Sequence, residues 1–131
     1  MIGIDTNVLV RHATQDDPQQ SAVASRFLTH LDEKNPGFVS LVTVVETVWV
    51  LRRAYRASTD IVNQFINGLL NAREINVQDP DIVRRATRMM NADGADFADA
   101  VIGLLGTAEG CAYTATFDRR AGRLLGMRLL E

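Results

Sequence analysis

Short apolar runs alternate with stretches of helical periodicity from one end of the chain to the other. Met1 to Asp5 predicts a short buried strand, and Thr6 to Ala13 a helix behind it. Asp16-Asp17-Pro18 starts a second helix, with Pro18 suited to its first turn and Ala24, Phe27, Leu28 and Leu31 on its apolar face. Asn35-Pro36-Gly37 breaks the pattern; Phe38 to Leu41 then reads as a strand and Thr43 to Tyr55 as a mostly buried helix. Ser58 can cap the next helix, which carries Val62, Phe65, Ile66, Leu69 and Leu70 on one face. Glu74 to Val77 is a third strand. Asp79-Pro80 opens a helix to about Met90, Asn91 to Ala95 turns, and Asp96 opens a helix to about Glu109 that Gly110 terminates. Cys111 to Phe117 is a fourth strand, Arg119 to Leu125 a short helix, and Met127 to Leu130 a final edge strand.

Strands alternating with helices predict the α/β class, with helices flanking a mostly parallel central sheet of four or five strands. The 131 residues fit one domain, 1–131, and the 47% hydrophobic content is enough to bury a core. No repeat or linker interrupts it. The apolar runs are too short to span a membrane, and Asp5 breaks the apolar start before a secretory signal could form. A lone cysteine, Cys111, excludes an internal disulfide and fits a reducing cytoplasm; it reads as a small buried apolar group.

Five acids stand where a carboxylate is locally out of place. Asp5 ends the first apolar run, Glu46 lies inside Leu41-Val42-Thr43-Val44-Val45-Glu46-Thr47-Val48-Trp49-Val50-Leu51, Asp96 and Asp99 open an apolar helix, and Asp118 closes Tyr113-Thr114-Ala115-Thr116-Phe117. Acids are rarely buried unless paired or metal-bound. Asp5 and Asp118 each follow a strand, and in a parallel sheet the strands' carboxyl ends share one edge. Asp96 and Asp99, three apart, share a helix face; Asp96 also suits the helix cap. Carboxylates gathered in this way repel, and hard oxygen donors select Mg²⁺ or Mn²⁺, which can activate water, orient a phosphate and stabilise a departing oxygen. No zinc site is offered, because His12, His30 and Cys111 are isolated.

The net charge of −2 excludes binding to nucleic acid by bulk electrostatics alone. The cations are nevertheless unusual: of 14 basic residues only Lys34 is lysine, and arginines cluster at 52-53-56, 84-85-88 and 119-120-123. Arginine forms bidentate contacts to phosphate, although a solvated helix face is the simpler account of any one cluster. Trp49 lies one turn after Glu46; it reads as a core residue against Leu9 or Leu28, with an aromatic anchor for a partner protein as the other reading.

Asp5-Thr6-Asn7, Glu46 in its aliphatic helix, Gly94-Ala95-Asp96-Phe97-Ala98-Asp99-Ala100 and Thr116-Phe117-Asp118-Arg119, in that order, resemble the PIN domain, most closely its bacterial VapC-type toxins. The resemblance covers the full chain. It implies a PIN-like three-layer sandwich and a Mg²⁺- or Mn²⁺-dependent endoribonuclease, the toxin of a toxin–antitoxin pair. It further implies a homodimer and a cognate antitoxin covering the site. By position, Asp5, Glu46, Asp99 and Asp118 match the acidic quartet, Asp96 an additional acid, and Asn7 and Thr116 supporting polar positions. Arg11, Arg119 and Arg120 are candidates for steering phosphate. The chemistry expected is in-line hydrolysis of an RNA phosphodiester, leaving a 3′-hydroxyl and a 5′-phosphate.

Two other classes compete. A phosphatase or receiver domain with an aspartate nucleophile requires a lysine, and Lys34 falls in a loop; Asn7 stands where the phosphatase's second acid belongs. An inert acidic-pocket module that binds metal or a partner would share the fold, and only activity separates it from a nuclease.

Overall fold

The computed structural model describes all 131 residues. The fold is α/β, and the chain forms two compact units, Met1–Asp79 and Pro80–Glu131. The first contains strands β1 (Ile2–Gly3), β2 (Gly37–Val39) and β3 (Ile75–Val77) and helices α1 (Thr6–Thr14), α2 (Pro18–Thr29), α3 (Leu41–Arg53) and α4 (Thr59–Asn71). The second contains helices α5 (Pro80–Asp93) and α6 (Phe97–Ala108), strands β4 (Thr114–Thr116) and β5 (Met127–Leu129), and a 3-10 turn at Ala121–Arg123.

All five expected strands form and every pairing is parallel. Strands β1, β2 and β3 lie side by side in that order, with Gly3 opposite Phe38 and Phe38 opposite Asn76. Strands β4 and β5 make a pair of their own, with Ala115 opposite Arg128, so the strands form sheets of three and two rather than the single sheet of four or five that the sequence predicts. No strand exceeds three residues, so helices carry most of each core.

The helices begin where side chains accept the otherwise unpartnered first N–H groups. Asp17 caps α2 through the amides of Gln19 and Gln20, with Pro18 in the first turn. Ser58 caps α4 through Ile61. Ser40 caps α3 through Thr43, so β2 ends at Val39 and the helix starts at Leu41, earlier than periodicity predicts. The α5 helix continues through Asp93, and Gly94, in the left-handed region at φ +66°, makes the turn toward α6. The helix expected over Arg119 to Leu125 shortens to the three-residue 3-10 turn.

The unit 1 core is built from Val39, Val44, Val48, Leu51, Val62 and Ile66, and that of unit 2 from Val83, Ala86, Phe97, Ala100, Val101 and Leu104. In unit 2, α6 lies so close to β4 that a Cβ on Gly106 would meet Thr114 Oγ1. Unit 1 also holds a cleft of about 640 Å³, walled by Leu9, Leu28, Leu51, Phe65 and Leu69 among others. Cys111, expected to be buried, is exposed because it follows Gly110, where the chain leaves α6. No helix is long and apolar enough to cross a membrane.

Ile66 is 1% exposed and Val23 59% exposed. In urea unfolding, Ile66→Ala is expected to cost about 2–4 kcal/mol, the range for emptying a packed site. Val23→Ala should stay within about 0.5 kcal/mol.

Candidate active site

In unit 1, Asp5 follows β1 and its Oδ1 accepts the Thr6 N–H at 2.7 Å, which caps α1. The buried Thr6 hydroxyl donates to Glu46 Oε2 at 3.3 Å, tying the start of α1 to the middle of α3. Glu46 is exposed. Helix α3 turns Thr43, Val44, Thr47, Val48 and Leu51 inward and leaves Val42, Glu46, Trp49 and Arg53 outward. The aliphatic neighbours that make this carboxylate conspicuous in sequence thus belong largely to the opposite face. Trp49 shares the outward face and is 55% exposed, so it is not the core residue its surroundings predict. Asn7 is exposed beside Asp5.

Arg11 is already engaged. Its Nε donates to Gln20, and its Nη1 lies 3.4 Å from Asp16 and 3.3 Å from the Tyr55 hydroxyl. Tyr55 and Thr14 donate to Asp16 and, with Arg11, hold that carboxyl below its ordinary range. Arg11 therefore clasps α1 to the start of α2 and to Tyr55, and it is not a free cation for phosphate.

In unit 2, three acids gather. Asp96 Oδ1 accepts the Asp99 N–H at 3.0 Å, so Asp96 caps α6 as its position suggests. Asp99 is half-buried in the first turn. Asp118 follows β4, and its Oδ1 accepts the Arg120 and Ala121 amides at 2.8 and 2.9 Å. Its own N–H donates to Thr116 Oγ1 at 3.0 Å. Arg119 and Arg120 are exposed and pair with no carboxylate.

Asp99 carries the electrostatic signature of this group. Burial, then the charges of Asp96 and Asp118, push its carboxyl above the ordinary carboxylate value. A helix N-terminus would by itself favour the ionised form. Desolvation and like charge outweigh it. A divalent cation bound there would relieve that conflict, and carboxylate oxygens are the donors that Mg²⁺ and Mn²⁺ prefer. The donor chemistry suits such an ion, but no three His, Cys, Asp or Glu side chains are placed together to hold one.

The family model of the PIN domain matches residues 2–125, nearly the whole chain and both units. The chain is a PIN-domain protein. PIN domains are generally nucleases and generally use divalent metal ions. A search of curated proteins found no match. As a PIN domain, the chain places its motif acids at strand ends and helix starts: Asp5 after β1, Asp96 and Asp99 at the head of α6, and Asp118 after β4.

Two outcomes follow from this chemistry. Asp96→Ala removes a cap and should lower stability by about 1 kcal/mol in urea melts. Asp99→Asn should melt higher than the parent in EDTA at neutral pH. Because the folded-state pKa of Asp99 is raised, its ionised form costs stability above that pKa, and the cost disappears as pH falls through it. The advantage of Asp99→Asn should therefore vanish in acid. A variant less stable than the parent at neutral pH would contradict the repulsion.

Proposed function

We propose that this PIN-domain protein is a Mg²⁺- or Mn²⁺-dependent endoribonuclease and acts as the toxin of a toxin–antitoxin pair that blocks translation. The observation carrying this reading is the half-buried Asp99 at the head of α6, its carboxyl raised by burial and then by the charges of Asp96 and Asp118, in a chain of a nuclease family.

In unit 2, Asp96, Asp99 and Asp118 would hold the ion; in unit 1, Asp5 is the further ligand that the family resemblance implies, and Glu46 would either bind metal or position the attacking water. The bound ion supplies Lewis-acid activation and neutralises charge on phosphate. The protein's own groups supply placement. Thr6 fixes the Glu46 carboxylate, Thr116 braces the Asp118 backbone, and Asn7 offers an amide beside Asp5. Arg119 and Arg120 are cations free to draw a phosphate toward a negative site. Water adds to phosphorus in line, the bond to the 3′ oxygen breaks, and the products carry a 3′-hydroxyl and a 5′-phosphate.

The toxin assignment adds a cognate antitoxin, a homodimer and a cytoplasmic setting to the reading. It is supported by the apolar cleft of unit 1 and by the strongly exposed Phe117 and Leu125 of unit 2, surfaces that suit protein ligands. An inert acidic-pocket module would bind the same ion and cut nothing.

Purified protein free of any partner should cleave RNA with Mg²⁺ or Mn²⁺ and not with EDTA, leaving 5′-phosphate ends. Asp5→Asn should lower the rate at least about 100-fold while remaining folded by circular dichroism. Cleavage by that variant at the parent rate would overturn the assignment of Asp5. Metal binding without cleavage of any RNA would favour the inert module.

A further inference from the structure

The outward stripe of α3 carries more than one acid. Val42, Glu46, Trp49 and Arg53 are spaced four, three and four residues apart, which aligns them on one helix face. Trp49 is the chain's single tryptophan and is 55% exposed. The Arg53 guanidinium lies 5.9 Å from the centre of its ring. Arg53 makes no ion pair with a carboxylate, unlike Arg11, Arg73 and Arg84. The arginine next to it, Arg52, is turned inward and donates to the Ala57 carbonyl and the Thr59 hydroxyl. Of these two adjacent cations, Arg53 alone remains available for an external anion.

An indole more than half in water gives up much of the gain from burying it. A flat aromatic surface with a free guanidinium over it has a specific use in nucleic-acid binding. Bases stack on aromatic faces irrespective of sequence, and arginine adds cation–π attraction and phosphate contact. At helical rise, Trp49 lies roughly 4.5 Å and Arg53 roughly 10.5 Å along the axis from Glu46. The order along the face is thus acid, aromatic, cation.

We propose that Trp49 and Arg53 form a base-stacking and phosphate-binding step for single-stranded RNA, beside Glu46. The proposal rests on the nuclease reading for its choice of ligand. It assigns a contact on α3: an unpaired base must expose its face to reach the indole, so duplex RNA is excluded at this position. Charge complementarity favours RNA over a protein segment as the occupant. The free positive group sits over the ring, and the acid lies one turn away.

The lone tryptophan makes the test direct, because its fluorescence reports this position only. In EDTA, which withholds the ion that the proposed cleavage requires, a short single-stranded oligoadenosine should quench that fluorescence, and a duplex of equal length should not. Followed by anisotropy of a labelled oligonucleotide, Trp49→Ala should weaken binding about tenfold. Trp49→Phe should recover most of it, and Arg53→Ala should reduce the salt dependence of affinity by about one phosphate contact. Equal quenching by duplex, no quenching by any oligonucleotide, or parent-like affinity of Trp49→Ala would overturn the proposal. A changed oligomeric state in Trp49→Ala with unaltered RNA affinity would also overturn it, by assigning the face to a protein contact. The nuclease reading fails separately: the oligonucleotide results can hold while metal produces no cleavage, and cleavage can persist while Trp49 proves irrelevant.

Discussion

Asp5, Asp96 and Asp118 each accept backbone N–H groups of the segment that follows, through one carboxylate oxygen. Helix starts leave several amides without partners, and a short acidic side chain at that point satisfies one or two of them. In this chain the same interaction also decides where charge accumulates. A carboxylate fixed at a helix start cannot rotate away from its neighbours. Asp96 and Asp118 are anchored in this way, and Asp99 stands close enough to both to feel their charge. Capping therefore explains each of these residues locally without explaining the group. The conflict at Asp99 points beyond structure, because a cap needs no second and third acid nearby.

A similar division runs through α3. Its inward face is packed with aliphatic and threonine side chains, and Thr47 closes its own hydroxyl on the Thr43 carbonyl at 2.7 Å. Its outward face is almost wholly free of packing duties and holds Glu46, Trp49 and Arg53. The link between the faces is Thr6, buried and bonded to Glu46, which couples the acid's orientation to the start of α1. Positioning and chemistry are thus served by different residues only a turn apart.

Much of this was legible in the sequence because its signals are local. Pro18, Ser58, Asp96 and Gly110 announced helix starts and stops through cap and turn chemistry, and the helices appeared at those places. The α/β class followed from alternation of elements. The acids could be singled out from their positions, and the family resemblance extended over both units. The failures are equally physical. Phe38 to Leu51 is rich in aliphatic residues, so periodicity put the boundary between strand and helix two residues late; the Ser40 cap starts the helix at Leu41. The same richness in aliphatic residues concealed that Glu46 and Trp49 face outward. Arg11 could be offered for phosphate because two of its partners, Gln20 and Tyr55, are 9 and 44 residues away in sequence, and its third, Asp16, reads as the start of a helix. Cys111 was read as buried from its residue type, while its place beside Gly110 put it in solvent.

Burial, and then the charges of Asp96 and Asp118, raise the Asp99 carboxyl, and we propose that a divalent cation relieves that conflict. Calorimetric titration of Mn²⁺ into the protein and into Asp99→Asn tests it without reference to catalysis. The account predicts saturable binding to the parent and an affinity at least about tenfold weaker in the variant, a loss on the order of 1.4 kcal/mol. Equal affinity in the two proteins, or no binding to the parent, would contradict it.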